Sequence, residues 1–243
     1  MQEPVLMKPA IQQQFQSFMH SGRILFFSAP CGFGKTAVAH ALLSGEKVLR
    51  LSAEMPDFSP EHFQGDWNVL LIDDFQQMQE ERDLQALYDL IRASAEKRFV
   101  ILSRGAPPGN LQAFQYAGLM TVIDADDLLF DREDTRKFFA DRNIAVTDSE
   151  LSSILKQSIG YPLGVVITAR CMSGGKPFGP EIVDRAFREV FSYFETAVYR
   201  RFDLPVRRFL LELAPFEHFD LEMARMVSGD AHAGELLDLL LAN

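Results

Sequence analysis

The stretch at residues 29–36, Ala-Pro-Cys-Gly-Phe-Gly-Lys-Thr, constrains the fold more than any other part of this chain. It approximates the phosphate-loop pattern GxxxxGK[ST], with Ala29 in place of the first glycine and Gly34, Lys35 and Thr36 matching. Gly32 and Gly34 let the backbone turn so that successive N–H groups point inward at phosphate oxygens. A helix opening near Lys35 adds its N-terminal N–H groups and dipole. The Lys35 ammonium suits β- and γ-phosphates, and the Thr36 hydroxyl suits Mg²⁺. The surroundings match: the apolar run Arg23–Ser28 precedes the loop, and Thr36–Leu43 reads as a helix. Pro30, Cys31, Gly32, Phe33, Gly34, Lys35, Thr36 and Ala37 are therefore the candidate nucleotide contacts.

A second signal lies on Asn68–Asp73, apolar throughout until it delivers Asp73 and Asp74. Asp73 at that place would hold Mg²⁺ through water, and Asp74 could orient or deprotonate an attacking water. Alone, two aspartates closing a strand are equally well read as a solvated strand end; after a phosphate loop they complete a nucleoside-triphosphate site. Lys47–Ser52, Arg98–Ser103 and Leu119–Asp124 read as further strands, with Leu84–Ala95 helical. Strands alternating with helices predict a five-stranded parallel P-loop NTPase sheet covered on both faces. Arg104 follows the fourth strand, and strand ends in such sheets face the ligand crevice, so it can reach the γ-phosphate.

Beyond about Asp126 the pattern becomes helical: Asp131–Arg142, Asp148–Ser158, Tyr161–Met172, Glu181–Arg201, Pro205–Ala214, Leu221–Ser228 and Ala233–Leu241. The Gly- and Pro-rich stretch Ser173–Pro180 reads as a linker. The division expected is a nucleotide-binding domain over 1–126, a helical domain over 127–175, and a winged-helix-type helical domain over 176–243 that is incomplete. Pro162, taken on spacing alone, is an ordinary helix start.

Basic residues number 24 against 34 acidic, a net charge of −10, which disfavours a general nucleic-acid binder. No run approaches the roughly 20 apolar residues of a membrane span, and the first residues lack a signal-peptide layout. Two cysteines, Cys31 and Cys171, have no metal-type spacing. A reducing, cytoplasmic location without membrane contact is expected.

The motifs APCGFGKT, VLLIDDF, FVILSRGAPP, DLLFDREDTRKFF and GYPLGVVITA occur in that order. Together they resemble the nucleotide-binding region of the MalT-like, large ATP-binding regulators of the LuxR group, which are signal-transduction ATPases with numerous domains (STAND). The resemblance extends from about Lys8 to Asn243, and that family also tends to carry alanine where Ala29 stands. It implies ATP or ADP with Mg²⁺ on Lys35, Thr36 and Asp73, a sensor role for Arg104, and Pro162 packed on or near the adenine. Lys8 and Pro9 would lie near the base too. It further implies a switch with slow ATP hydrolysis and self-association in the intact protein. DNA would be contacted only through a C-terminal domain outside this chain. Two departures stand out: Ala53–Trp67 is short for the family, and the C-terminal part stops at the winged-helix region. The competing reading is an AAA-type motor or loader ATPase, with Arg200, Arg201 or Arg207 as a finger offered to a neighbouring subunit. A small-molecule kinase would need an arginine-bearing lid, which the short Ala53–Trp67 segment does not supply. A module holding ADP permanently would make the same phosphate contacts.

Overall fold

A computed structural model of the chain describes residues 5–55, 59–216 and 218–241. The outer limits of the expected domains, at 1 and 243, and part of the Ala53–Trp67 segment lie outside these. The sheet strands are β1 (Ile24–Ser28), β2 (Val48–Ser52), β3 (Val69–Asp73), β4 (Arg98–Ser103) and β5 (Met120–Asp124). All pairings are parallel, in the order β2-β3-β4-β1-β5. The fold class expected from sequence is therefore the fold observed, with each strand within one residue of its expected bounds.

Alternation along the strands divides the core into two layers. Phe26, Ile72 and Ile101 face the layer of α3 (Glu81–Ala93) and α4 (Gly109–Tyr116), packing on Leu87, Ile91 and Leu111. Phe27, Leu71 and Leu102 face the layer of α1 (Pro9–Ser21) and α2 (Lys35–Leu42), packing on Ile11, Phe18 and Val38. Phe26 and Phe27 are both fully buried, on opposite sides, and each contributes about 2 kcal/mol of apolar burial.

The connection from β1 runs through α2 to the β2 edge, whereas that from β4 runs through α4 to β5 on the other side. Neighbouring strands whose outgoing connections diverge onto opposite faces leave a crevice at their carboxyl ends. Here that crevice lies between β1, which ends at the glycine-rich loop, and β4, which ends at Arg104.

After α5 (Ala125–Leu128), the helices α6 (Arg132–Ala140), α7 (Asp148–Ser158), α8 (Pro162–Met172) and α9 (Pro180–Ala197) form a second body. Side chains of Asp131 and Thr147 cap α6 and α7 in reciprocal boxes with Asp134 and Glu150. Phe138, Phe139, Ile154, Val165 and Met172 make its core, which Ile182 and Ala186 of α9 share. The expected boundary at 175/176 thus falls ahead of a helix that packs with α8. A smaller core of Phe209, Leu213, Ala224 and Ala233 joins α10 (Leu204–Leu213), α11 (Leu221–Ser228) and α12 (Ala233–Leu241).

The helix expected over Glu181–Arg201 ends sooner, at Ala197, and continues as a 3₁₀ turn over Tyr199–Arg201. Arg207 accounts for the turn: its Nη2 donates to the Arg200 carbonyl and its Nε to the Phe202 carbonyl, each at 2.6 Å, so the carbonyls freed by the break are satisfied. Among the described residues, no helix is long and apolar enough to cross a membrane.

Candidate nucleotide site

Gly32 and Gly34 both have positive φ, +81° and +79°, as a loop turning its N–H groups inward requires. They differ in surroundings. A Cβ at Gly34 would meet nothing within 4 Å, whereas one at Gly32 would lie 1.7 Å from the Tyr161 hydroxyl oxygen. The second body closes directly on the loop. Tyr161 Oη donates to the Cys31 carbonyl at 2.8 Å, and the Leu163 N–H donates to the Gly32 carbonyl at 3.2 Å. The Tyr161 ring is held between Phe33, at 5.2 Å between centroids, and Phe194, at 6.0 Å and near-parallel. Burial raises the Tyr161 pKa above its ordinary value, so the hydroxyl remains a donor. Burial also pushes the Tyr193 hydroxyl up to about 12; it lies 3.3 Å from Cys31 Sγ.

Lys35 opens α2 and folds back over the loop, its Nζ donating to the carbonyls of Ala29 at 2.6 Å and Pro30 at 3.0 Å. Burial lowers its pKa, the Arg104 charge adds to that, and Cys31, Asp73 and Asp74 oppose it. Thr36 Oγ1 donates to Asp73 Oδ2 at 2.9 Å, so the hydroxyl and the carboxylate that sequence assigns to one cation do meet. The other oxygen of Asp73 accepts the Asp74 N–H at 2.9 Å. Asp74 sits at φ +54°, an uncommon conformation for a non-glycine residue, and this turns the chain at the strand end. Its carboxylate accepts from Gln76 Nε2 at 3.4 Å, while Gln76 Oε1 accepts the Arg104 N–H at 3.1 Å. Gln76 thus ties the acidic strand end to the end of β4. The Arg104 guanidinium has no ion-pair partner among the described residues.

These groups line one cavity of about 410 Å³. Cys31, Gly32, Gly34, Lys35, Thr36, Ala37, Asp73, Asp74 and Arg104 come from the sheet domain, and Pro162, Leu163, Val166, Tyr193, Ala197 and Arg201 from the helices beyond it. Pro30 and Phe33 flank it within the loop. Lys8 and Pro9 are not among the residues that line it. Lys8 precedes α1, its Nζ donates to the Leu129 carbonyl at 2.8 Å, and it lies 3.4 Å from Asp134, so it ties the start of α1 to the second body.

Inward N–H groups, one ammonium, one hydroxyl and two carboxylates in a cleft can hold a polyphosphate with a divalent cation. The fit for Mg²⁺ rests on the Thr36–Asp73 contact. Among the described residues, no group of three or more His, Cys, Asp or Glu side chains gathers for a metal. Mg²⁺ needs no such cage, since it commonly takes one or two protein oxygens and completes its shell with phosphate and water. The sequence alone does not single out Tyr161, Tyr193 or Gln76, and it offers Arg201 only as a finger for a neighbouring subunit, whereas here Arg201 lines the cleft of its own chain. Tyr161 lies inside the GYPLGVVITA motif, directly before Pro162.

The sheet order, the loop and the acidic strand end define a P-loop NTPase fold, and solved structures share it. A Walker-type ATPase of Pyrococcus abyssi superposes with a TM-score of 0.67 at 12% identity, over 98% of this chain and 89% of that one. RuvB of Thermotoga maritima gives 0.57 at 14%, over 95% and 85%. A STAND protein with a tetratricopeptide repeat sensor from Pyrococcus horikoshii gives 0.55 at 13%, over 100% and 40%. In sequence, the chain is similar to the HTH-type transcriptional regulator MalT of Vibrio campbellii and of Vibrio parahaemolyticus, 23% identical over 177 residues. That match takes in 70% of this chain and 19% of each relative, so the chain spans about a fifth of the length of the regulators it matches. The MalT-like resemblance read from the motifs is therefore found by direct comparison as well. No family model matches the chain.

Proposed function

We propose that this chain is the ATP- and ADP-reading switch module of a STAND-type transcriptional regulator, hydrolysing ATP slowly. The observation that carries the reading is the closure of α8 on the phosphate loop through Tyr161 and Leu163. A loop whose carbonyls are bonded to a separate helical body couples whatever occupies the loop to the position of that body. A nucleotide shifts such an equilibrium only through different affinities for its two arrangements. Arg104, at the crevice and without a carboxylate partner among the described residues, supplies a group that distinguishes a γ-phosphate from its absence. Within this reading Pro162 packs near the nucleotide, and self-association and DNA contact belong to the longer protein. Similarity to MalT supports the regulator assignment; the fold alone is equally compatible with a motor or loader, so the reading rests on the clamp that Tyr161 and Leu163 make on the loop.

The hydrolytic step would use Asp74 to orient or deprotonate water, with Asp73 and Thr36 holding the cation. Proton transfer by a placed carboxylate is worth about a hundredfold or more. An Asp74→Ala variant is therefore expected to turn over ATP about a hundredfold more slowly than the parent with similar ATP affinity. Unchanged turnover removes Asp74 from the mechanism. The test of the reading itself is equilibrium binding of ATP and ADP with Mg²⁺ to the whole chain and to a Lys35→Ala variant. Binding by the parent that Lys35→Ala weakens at least about a hundredfold supports the nucleotide site that the switch requires; its absence in the parent ends the reading.

A further inference from the structure

Arg201 occupies a place that neither the motifs nor the similarity to MalT accounts for. It ends the 3₁₀ turn after α9 and lines the same cavity as Lys35, Asp73 and Arg104. Its neighbours in sequence are otherwise engaged: Arg200 pairs with Glu195 at 2.8 Å, and Arg207 satisfies backbone carbonyls. Arg201 instead pairs with Glu54, just beyond the end of β2 in the sheet domain. Arg104 and Arg201 also both line a second cavity, of about 640 Å³, whose walls include Glu54, Gln77, Val206 and Leu239. The two arginines thus form the partition between the nucleotide cleft and the space separating the sheet from α10 and α12.

We propose that Arg201 is a triphosphate-reading residue of this same chain and that Glu54 is the counter-ion it leaves. The inference rests on the nucleotide-switch reading above and names a regulatory contact within it. With no γ-phosphate, Arg201 stays on Glu54 and ties the start of the α10–α12 body to the β2 end of the sheet. A γ-phosphate entering beside Arg104 offers a more highly charged acceptor than one carboxylate, and guanidinium binds phosphate in a planar, two-point fashion. Arg201 then moves to the phosphate and the tie to the sheet is lost. The Glu54 pair is only partly shielded from water, so it is weak enough to be exchanged. A diphosphate does not reach the arginines and leaves the pair in place. Both side chains are substantially exposed, so substitutions at either position are compatible with folding.

The experiment measures ATP and ADP affinity, with Mg²⁺, for the whole chain and for Arg201→Ala, Glu54→Gln and the double variant. Arg201→Ala is expected to weaken ATP binding about tenfold, as loss of one charge-assisted contact does, and to change ADP binding less than about twofold. Glu54→Gln removes the competitor and is expected to tighten ATP binding about threefold with ADP unchanged. In the double variant that gain vanishes, because it acts only through Arg201. Arg201→Lys, which keeps the charge but not the fork, is expected to fall between parent and alanine. Equal loss of ATP and ADP affinity in Arg201→Ala, or a Glu54→Gln gain that persists without Arg201, overturns the inference and leaves the switch reading standing. A parent chain that binds neither nucleotide overturns both.

Discussion

A Lys35→Ala variant is expected to bind ATP and ADP at least about a hundredfold more weakly than the parent while melting at nearly the same temperature. The affinity loss follows from what the ammonium does. It is held over the loop by the carbonyls of Ala29 and Pro30 and is half-buried. A phosphate arriving there meets a preplaced cation, and hydrogen bonds to charged groups are worth about 1.5–3 kcal/mol each. Two such contacts exceed two decades of affinity. The small change in stability follows from the same environment. Burial already lowers the Lys35 pKa, so the folded chain gives up solvation to keep that charge, and its removal relieves the cost. Water can reach the Pro30 carbonyl and replace the lost donor. Titration with a fluorescent nucleotide beside a thermal melt reads both quantities. Undiminished binding would take Lys35 out of the site, and a collapse in stability would make its role structural.

Gly32→Ala is the second large effect, and its comparison with Gly34→Ala isolates the clamp. Both positions have positive φ near +80°, which costs a non-glycine residue about 1–3 kcal/mol. At Gly34 that is the whole penalty, because a Cβ there meets nothing within 4 Å. At Gly32 the new atom would lie 1.7 Å from Tyr161 Oη and 2.7 Å from its Cζ. The ring cannot swing aside cheaply, since Phe33 and Phe194 flank it. The overlap therefore either costs a further amount of about 1–3 kcal/mol or forces α8 off the loop. Gly32→Ala should melt several degrees below Gly34→Ala, at about 2–4 °C per kcal/mol for a chain of this size. Tyr161→Ala has its own cost through the lost bond and ring contacts, but in that background the two glycine variants should melt nearly alike, leaving only the backbone strain. Equal melting of the two alanine variants would mean that the second body does not close on the loop in solution.

The parts of this fold that were legible in the sequence are those whose signal is local. An apolar run followed by a glycine-rich turn and Lys-Thr, and an apolar run ending in two aspartates, state their chemistry within eight residues. The resulting pieces lie together in the structure: Thr36 meets Asp73, and Arg104 faces the same crevice. What was illegible depends on docking between distant segments. Tyr161 reaches Cys31 across 130 positions and Arg201 reaches Glu54 across 147, and no periodicity encodes either contact. Pro162 stood out because proline is conspicuous at a helix start; the tyrosine before it carries the bond. Lys8, which the resemblance puts near the base, bonds to the Leu129 carbonyl and lies near Asp134, contacts that no local pattern announces. α1 was a different kind of miss. Ile11, Phe15 and Phe18 have helical spacing and pack on the sheet, but the glutamines between them hide an otherwise readable apolar stripe.

Hydrogen exchange of the whole chain in three states, nucleotide-free, with ADP and Mg²⁺, and with a non-hydrolysable ATP analogue and Mg²⁺, tests the switch most directly. Both nucleotides should protect the amides of residues 31–37, because both fill the phosphate loop. A cleft that reads which nucleotide is present should give two different patterns outside the loop. The segments around Tyr161–Val166 and Tyr199–Phe202 should exchange at different rates with the diphosphate and with the triphosphate analogue. Identical exchange in those segments with the two nucleotides, alongside clear protection of the loop by both, would contradict the switch and leave a chain that merely holds a nucleotide.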